Sequence, residues 1–113
     1  MRTDIVFYAR PDGRLMGYTA SGHTGYAEAG SDIVCAAISA LTQTTLNGLK
    51  NVLKAPVMFE QDDDNAFLEA RLTPEATEEQ IERAQILLET LYQGLQSIEA
   101  GYPRNIRITR KRR

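Results

Sequence analysis

The chain has 113 residues, of which 42% are hydrophobic and 25% charged, and its formal net charge is −2. That balance fits one globular domain over residues 1–113, able to bury roughly two-thirds of its unfolded surface, and excludes a disordered chain. It gives no general affinity for nucleic acid, and no apolar run reaches the roughly 18 residues of a membrane span, so no membrane partner is expected.

Thr3 to Ala9 is rich in strand formers (Ile5, Val6, Phe7, Tyr8), and Leu15 to Ser21 follows as a second strand. The Arg10-Pro11-Asp12-Gly13-Arg14 turn between them makes the pair a hairpin. Gly22, Gly25 and Gly30 make the next segment a loop, expected to be mobile. Ser31 or Asp32 then caps a helix running to about Lys54. Val34, Ile38, Leu41, Thr45, Leu49 and Val52 mark its buried face, while Ala36, Ala37, Ser39 and Ala40 are small enough for close approach to a neighbour. Pro56 shows that this helix has stopped.

Val57 to Gln61 and Ala66 to Leu72 predict a second hairpin across the acidic turn Asp62-Asp63-Asp64-Asn65. That turn lacks the glycine and distant glutamate of a calcium loop and reads as solvated. Thr77 and Gln80 form a capping box ahead of the clearest amphipathic helix, with Ile81, Ala84, Leu88, Leu91, Leu95 and Ile98 on one stripe. Gly94 interrupts this helix, and Gly101 and Pro103 end it. Arg104 to Arg110 predicts a last strand. The order ββαββαβ implies an α+β fold: an antiparallel or mixed sheet of about five strands with both helices on one face. Six of the thirteen basic residues (Arg104, Arg107, Arg110, Lys111, Arg112 and Arg113) follow Tyr102. They read as a solvated terminus that binds nucleic acid at most weakly.

The only histidine, His23, and the only cysteine, Cys35, lie in one stretch, twelve positions apart. A lone cysteine at the start of a core helix is often a small buried hydrophobe, and a lone histidine in a polar loop is often idle. Position argues otherwise. With Ser31 or Asp32 as cap, Cys35 falls in or just past the first turn, where unpaired N–H groups and the helix dipole favour a thiolate. A thiol of ordinary pKa is only ~3% ionised at pH 7, and a drop of ~2 units makes it mostly ionised. The same N–H groups suit an oxyanion. The glycine-rich loop can fold the imidazole back over that helix start as a general base. Asp32 either caps the helix or orients His23, and a direct contact between its carboxylate and Cys35 is not expected because it opposes thiolate formation. Tyr26 and Ser39 are candidates for the pocket wall. One cysteine allows no intrachain disulfide, which fits a reducing cytoplasm. Two ligands do not make a zinc site, so neither metal nor cofactor is expected. Met1 to Arg10 has Asp4 and no long apolar segment, and does not read as a signal peptide.

The run Gly22-His23-Thr24-Gly25-Tyr26-Ala27, followed by Gly30-Ser31-Asp32-Ile33-Val34-Cys35-Ala36-Ala37-Ile38-Ser39, resembles the signature of the ribosomal-processing cysteine protease family, Prp. The resemblance implies a cytoplasmic, homodimeric endopeptidase with a Cys–His dyad. It implies Cys35 as nucleophile and His23 as base, and as substrate the short N-terminal extension of a large-subunit ribosomal protein, cut after aromatic residues. It makes the loop with Gly22, Gly25, Tyr26 and Gly30 a gate over the substrate. Two other functions fit the composition: a non-catalytic ribosome-associated binding protein using its basic C-terminus, and a redox-sensing thiol, which lacks a resolving cysteine.

Overall fold

The computed structural model describes residues 1–28 and 30–112. Two crossover units share one five-stranded mixed sheet. The elements are β1 (Thr3–Ala9), β2 (Leu15–Ser21), α1 (Ile33–Asn47) continued by a π-helical turn (Gly48–Val52), β3 (Val57–Asp62), β4 (Phe67–Leu72), α2 (Glu78–Gly101) and β5 (Ile106–Arg112). The strand order is β3-β4-β2-β1-β5, antiparallel at every step except β1 against β5. That pattern leaves β3 parallel to β2 and β5 parallel to β4. Parallel strands need a crossover, and α1 and α2 supply the two.

Alternation sets which face the helices cover. Ile5 pairs with Ala20, Phe7 with Tyr18, and Tyr18 with Ala70, so these side chains share one face. All five are buried, together with Ile106 of β5 and Leu68 of β4. Helix α2 lays Ile81, Ala84, Leu88, Leu91 and Leu95 on that face, and Phe7 meets Tyr92 edge-on at 5.2 Å. Its capping box forms as expected, with Thr77 and Gln80 exchanging hydrogen bonds of 2.9 and 3.1 Å.

Helix α1 departs from expectation in three ways. Its α-helical part ends at Asn47, because the Leu53 N–H reaches back five residues to the Gly48 carbonyl and widens the last turn. Its buried residues are Val34, Ile38, Thr42 and Leu46, spaced by four, with Leu49 beyond; Leu41 is on the margin, Thr45 half-buried and Val52 exposed. Thr42 is tolerated inside because its hydroxyl donates to the Ile38 carbonyl and its own carbonyl accepts from the buried Tyr18 hydroxyl at 2.6 Å. Burial pushes the Tyr18 phenol above its ordinary pKa, so it stays a neutral donor. The small residues Ala36, Ala37 and Ala40 face solvent, not α2. Close helix approach uses glycines instead: a Cβ on Gly48 would lie 3.3 Å from Leu87, and one on Gly94 would lie 3.4 Å from Leu41.

The basic C-terminus is not a loose tail. Ile106–Arg112 is a strand paired with β1, two residues later than expected because Tyr102 to Asn105 make a turn. Arg110 is held by both carboxylate oxygens of Glu89 at 2.8 and 2.9 Å and lies over the Tyr92 ring. Arg113 lies outside the described residues, as does Ala29 within the glycine-rich segment.

Candidate active site

The candidate site lies where β2 ends, β1 begins and α1 starts. Asp32 is the cap of α1, in extended conformation. One carboxylate oxygen accepts the Cys35 N–H at 2.9 Å. The other accepts the Thr24 hydroxyl and, at 3.4 Å, the Ala27 N–H. Partial burial works against this charge, yet the hydrogen bonds from Thr24 and from the Cys35, Ala27 and Tyr26 amides outweigh it and hold the carboxyl below the usual range. Asp32 thus caps the helix, one of its two expected roles, and in doing so contacts Cys35 through the backbone amide, which the expectation of no direct contact, drawn from charge, did not allow for. That amide is consequently engaged and not free for an oxyanion. Among the described residues Asp32 makes no bond to His23.

Cys35 is the third residue of α1, half-buried and free. His23 is exposed, on the loop that leaves β2. Its upstream neighbour is pinned twice: the Gly22 N–H donates to Ala66 at 2.9 Å, and the Gly22 carbonyl accepts the Thr3 hydroxyl at 2.9 Å. Only glycine fits there, since φ is +93° and a Cβ would lie 2.7 Å from the Arg2 carbonyl. Gly25 is the same case, with φ +70° and the Met1 carbonyl 2.9 Å from a Cβ. Downstream of His23, Thr24 is fully buried and its carbonyl accepts from Asn105 at 3.0 Å. The loop expected to be mobile is therefore tethered on both sides of the histidine.

Two clefts meet at this point. One of about 260 Å³ runs between α1 and the β3–β4 hairpin, past Ile38, Gln43, Gln61, Asp63 and Phe67. The other, of about 550 Å³, lies on the loop side, past Gly25, Gly30, Asp32 and Ala36. His23, Cys35 and Ser39 border both. Gly22 borders the first only. Tyr26 borders neither and instead stands edge-on to Tyr102 at 5.3 Å. Among the described residues the His23 ring and the Cys35 sulfur are not hydrogen-bonded to each other or to any other group, so both remain available. No group of His, Cys, Asp and Glu among the described residues could hold a metal, and no described helix is long and apolar enough to cross a membrane.

Sequence reasoning missed Asn105, Gln61, Asp63 and Phe67, which reach the site from distant elements with no local signal. Thr24 carried one, a hydroxyl beside the histidine in a loop that needs anchors.

The profile described as cysteine protease Prp matches residues 2–107. The chain belongs to the Prp cysteine protease family. A ribosomal processing cysteine protease Prp of Staphylococcus aureus is 30% identical over 100 residues, covering 88% of this chain and 91% of that protein. The crystal structure of the essential ribosomal processing protease Prp from S. aureus with a covalently linked product peptide superposes with a TM-score of 0.85 at 28% identity, covering 96% of this chain and 99% of the other. The same protease with a substrate peptide gives 0.80 at 26% identity, again covering 96% and 99%. The five-stranded mixed sheet with two helices is the fold of these Prp structures, and the protein is a cysteine protease, a hydrolase acting on a peptide partner. Membership in this family sets aside the non-catalytic binding function.

Proposed function

We propose that the protease uses Cys35 as nucleophile and His23 as general base, and that its substrate is the N-terminal extension of a large-subunit ribosomal protein. The observation that carries the dyad is the meeting of the two clefts at these two side chains. An endopeptidase must receive chain on both sides of the scissile bond, and a reactive pair at the seam of two clefts suits that need.

In the proposed cycle His23 takes the Cys35 proton and the sulfur attacks the peptide carbonyl. The C–N bond breaks, His23 returns the proton to the leaving amine, and a thioester joins the acyl part to Cys35. Water then attacks that thioester, helped by His23, and frees the carboxylate and the thiol. With Asp32 engaged as a cap, the unit is a dyad and not a triad. The ring closes on the sulfur by turning about its own side-chain bonds when peptide fills the clefts, since the backbone on both sides of His23 is held. The ribosomal substrate rests on the names of the relatives. The family resemblance also carries a single-domain, cytoplasmic homodimer without cofactor, and sedimentation of the purified protein tests the dimer.

The deciding experiment incubates the extended ribosomal protein with enzyme and weighs the products. One cut that removes the extension, absent with Cys35→Ala, is expected. A Cys35→Ala variant that still cuts overturns the mechanism, and an untouched substrate with active enzyme on other peptides overturns the substrate.

A further inference from the structure

We propose that Thr24 is a positioning residue: its buried hydroxyl, bonded to Asp32 while Asn105 holds its carbonyl, fixes the backbone of His23 beside the Cys35 end of α1. The inference deepens the dyad reading and rests on it. Thr24 has no exposed surface, in a segment whose neighbours Gly22, His23, Gly25 and Tyr26 are all exposed. Its bonds run to separate elements. The hydroxyl donates to the same carboxylate that receives the Cys35 amide, so one side chain joins the histidine loop to the cysteine helix. The hydroxyl oxygen also receives the Tyr26 N–H at 3.4 Å. The carbonyl receives Asn105 Nδ2 at 3.0 Å, and Asn105 in turn takes the Thr3 N–H at 2.9 Å, which ties the loop to the start of β1. With Gly22 fixed on the other side, His23 can turn about its side-chain bonds but its backbone has little room to drift. The imidazole is thereby restricted to an arc around one anchor, which raises its local concentration near the sulfur.

A positioning role separates from a merely structural one by kinetics. Thr24→Val keeps the branched shape and removes the hydroxyl. It is expected to lower kcat by about tenfold to 10²-fold, the scale of a small misplacement, with KM changed less than about twofold. Thr24→Ser, which restores the donor, is expected to recover most of kcat. The rate of Cys35 alkylation by iodoacetamide at neutral pH is expected to fall severalfold in Thr24→Val, because a displaced imidazole supports the thiolate less. Loosened packing would instead expose the sulfur and raise that rate. A folded Thr24→Val with parental kcat overturns the role, and so does a Thr24→Ser no better than Thr24→Val. If Thr24→Val does not melt cooperatively, Asn105→Ala decides: a lower kcat at unchanged KM supports the tether, and a parental kcat overturns it. A Cys35→Ala enzyme that still cuts would remove the dyad itself, an outcome distinct from a dead Cys35→Ala beside a fully active Thr24→Val.

Discussion

The two ends of the sheet treat their polar groups in opposite ways. At the β1–β2 turn nearly every charge has a partner. Arg10 bridges Asp12 and Glu78, Arg14 reaches Glu82, and Arg110 holds Glu89 while also donating to the Gly13 carbonyl. Beside them Gln85 brackets the backbone of Leu15 with bonds of 2.7 and 2.8 Å. Asp12 and Glu78 are held below the usual carboxylate range, chiefly by hydrogen bonds from Arg10. At the opposite end His23 and Cys35 have no such partners among the described residues, and the hydrogen bonds go to the residues around them: Gly22, Thr24 and Asp32. A turn that joins two strands to a helix is served by satisfied charges. On the proposed mechanism His23 and Cys35 must stay unpaired, so their scaffold is satisfied in their place.

The sharpest break of this contrast removes the unpaired groups. Cys35→Ala is expected to abolish cleavage, and His23→Ala to lower kcat by about 10²–10⁴-fold, both with melting temperatures close to the parent's. Peptide turnover and thermal unfolding, measured on the same samples, check this. Next comes the core between the two ends. Leu88 is fully buried, and Leu88→Ala is expected to cost about 2–5 kcal/mol in denaturant unfolding, weakening both ends together. Smaller again is the cap. Asp32→Ala is expected to remove about 1 kcal/mol. Because the Asp32 carboxyl is held low in the fold, its stabilisation is complete above the unfolded value of about 3.9 and is lost as pH falls through the lower folded value. Asp32→Asn keeps an acceptor without that charge, so its acid unfolding curve is expected to be shallower below about pH 4. The smallest effect belongs to the paired end: Arg10→Ala is expected to shift the melting temperature by a few degrees at most, less in high salt, with kcat unchanged. A large loss of activity there would show that the two ends are coupled.

Much of the fold was legible because its signals are local. Both strands of the first hairpin, the Thr77 capping box and the α2 stripe depend on residues within a few positions of one another, and each formed where expected. The face of α1 was misjudged because a buried threonine, satisfied by Tyr18 from another strand, carries no hydrophobic signal, and because the π turn rotates Val52 away from the core. At the candidate site, the order of residues showed one histidine on a glycine-rich loop followed by one cysteine at a helix start, and both border the same two clefts. That order did not show the second bond that ties Asp32 to Thr24, nor the reach of Asn105.

By itself the sequence determined most of the elements, their order, the family and the two candidate side chains of the site, since propensity, capping and side-chain type act over short spans of chain. Tertiary structure alone decided that β5 runs parallel beside β1. It also brought the hairpin of β3 and β4 up to α1 to form a cleft. Those outcomes follow from which buried faces meet, and burial is a property of surfaces brought together from distant segments, which local spacing does not encode.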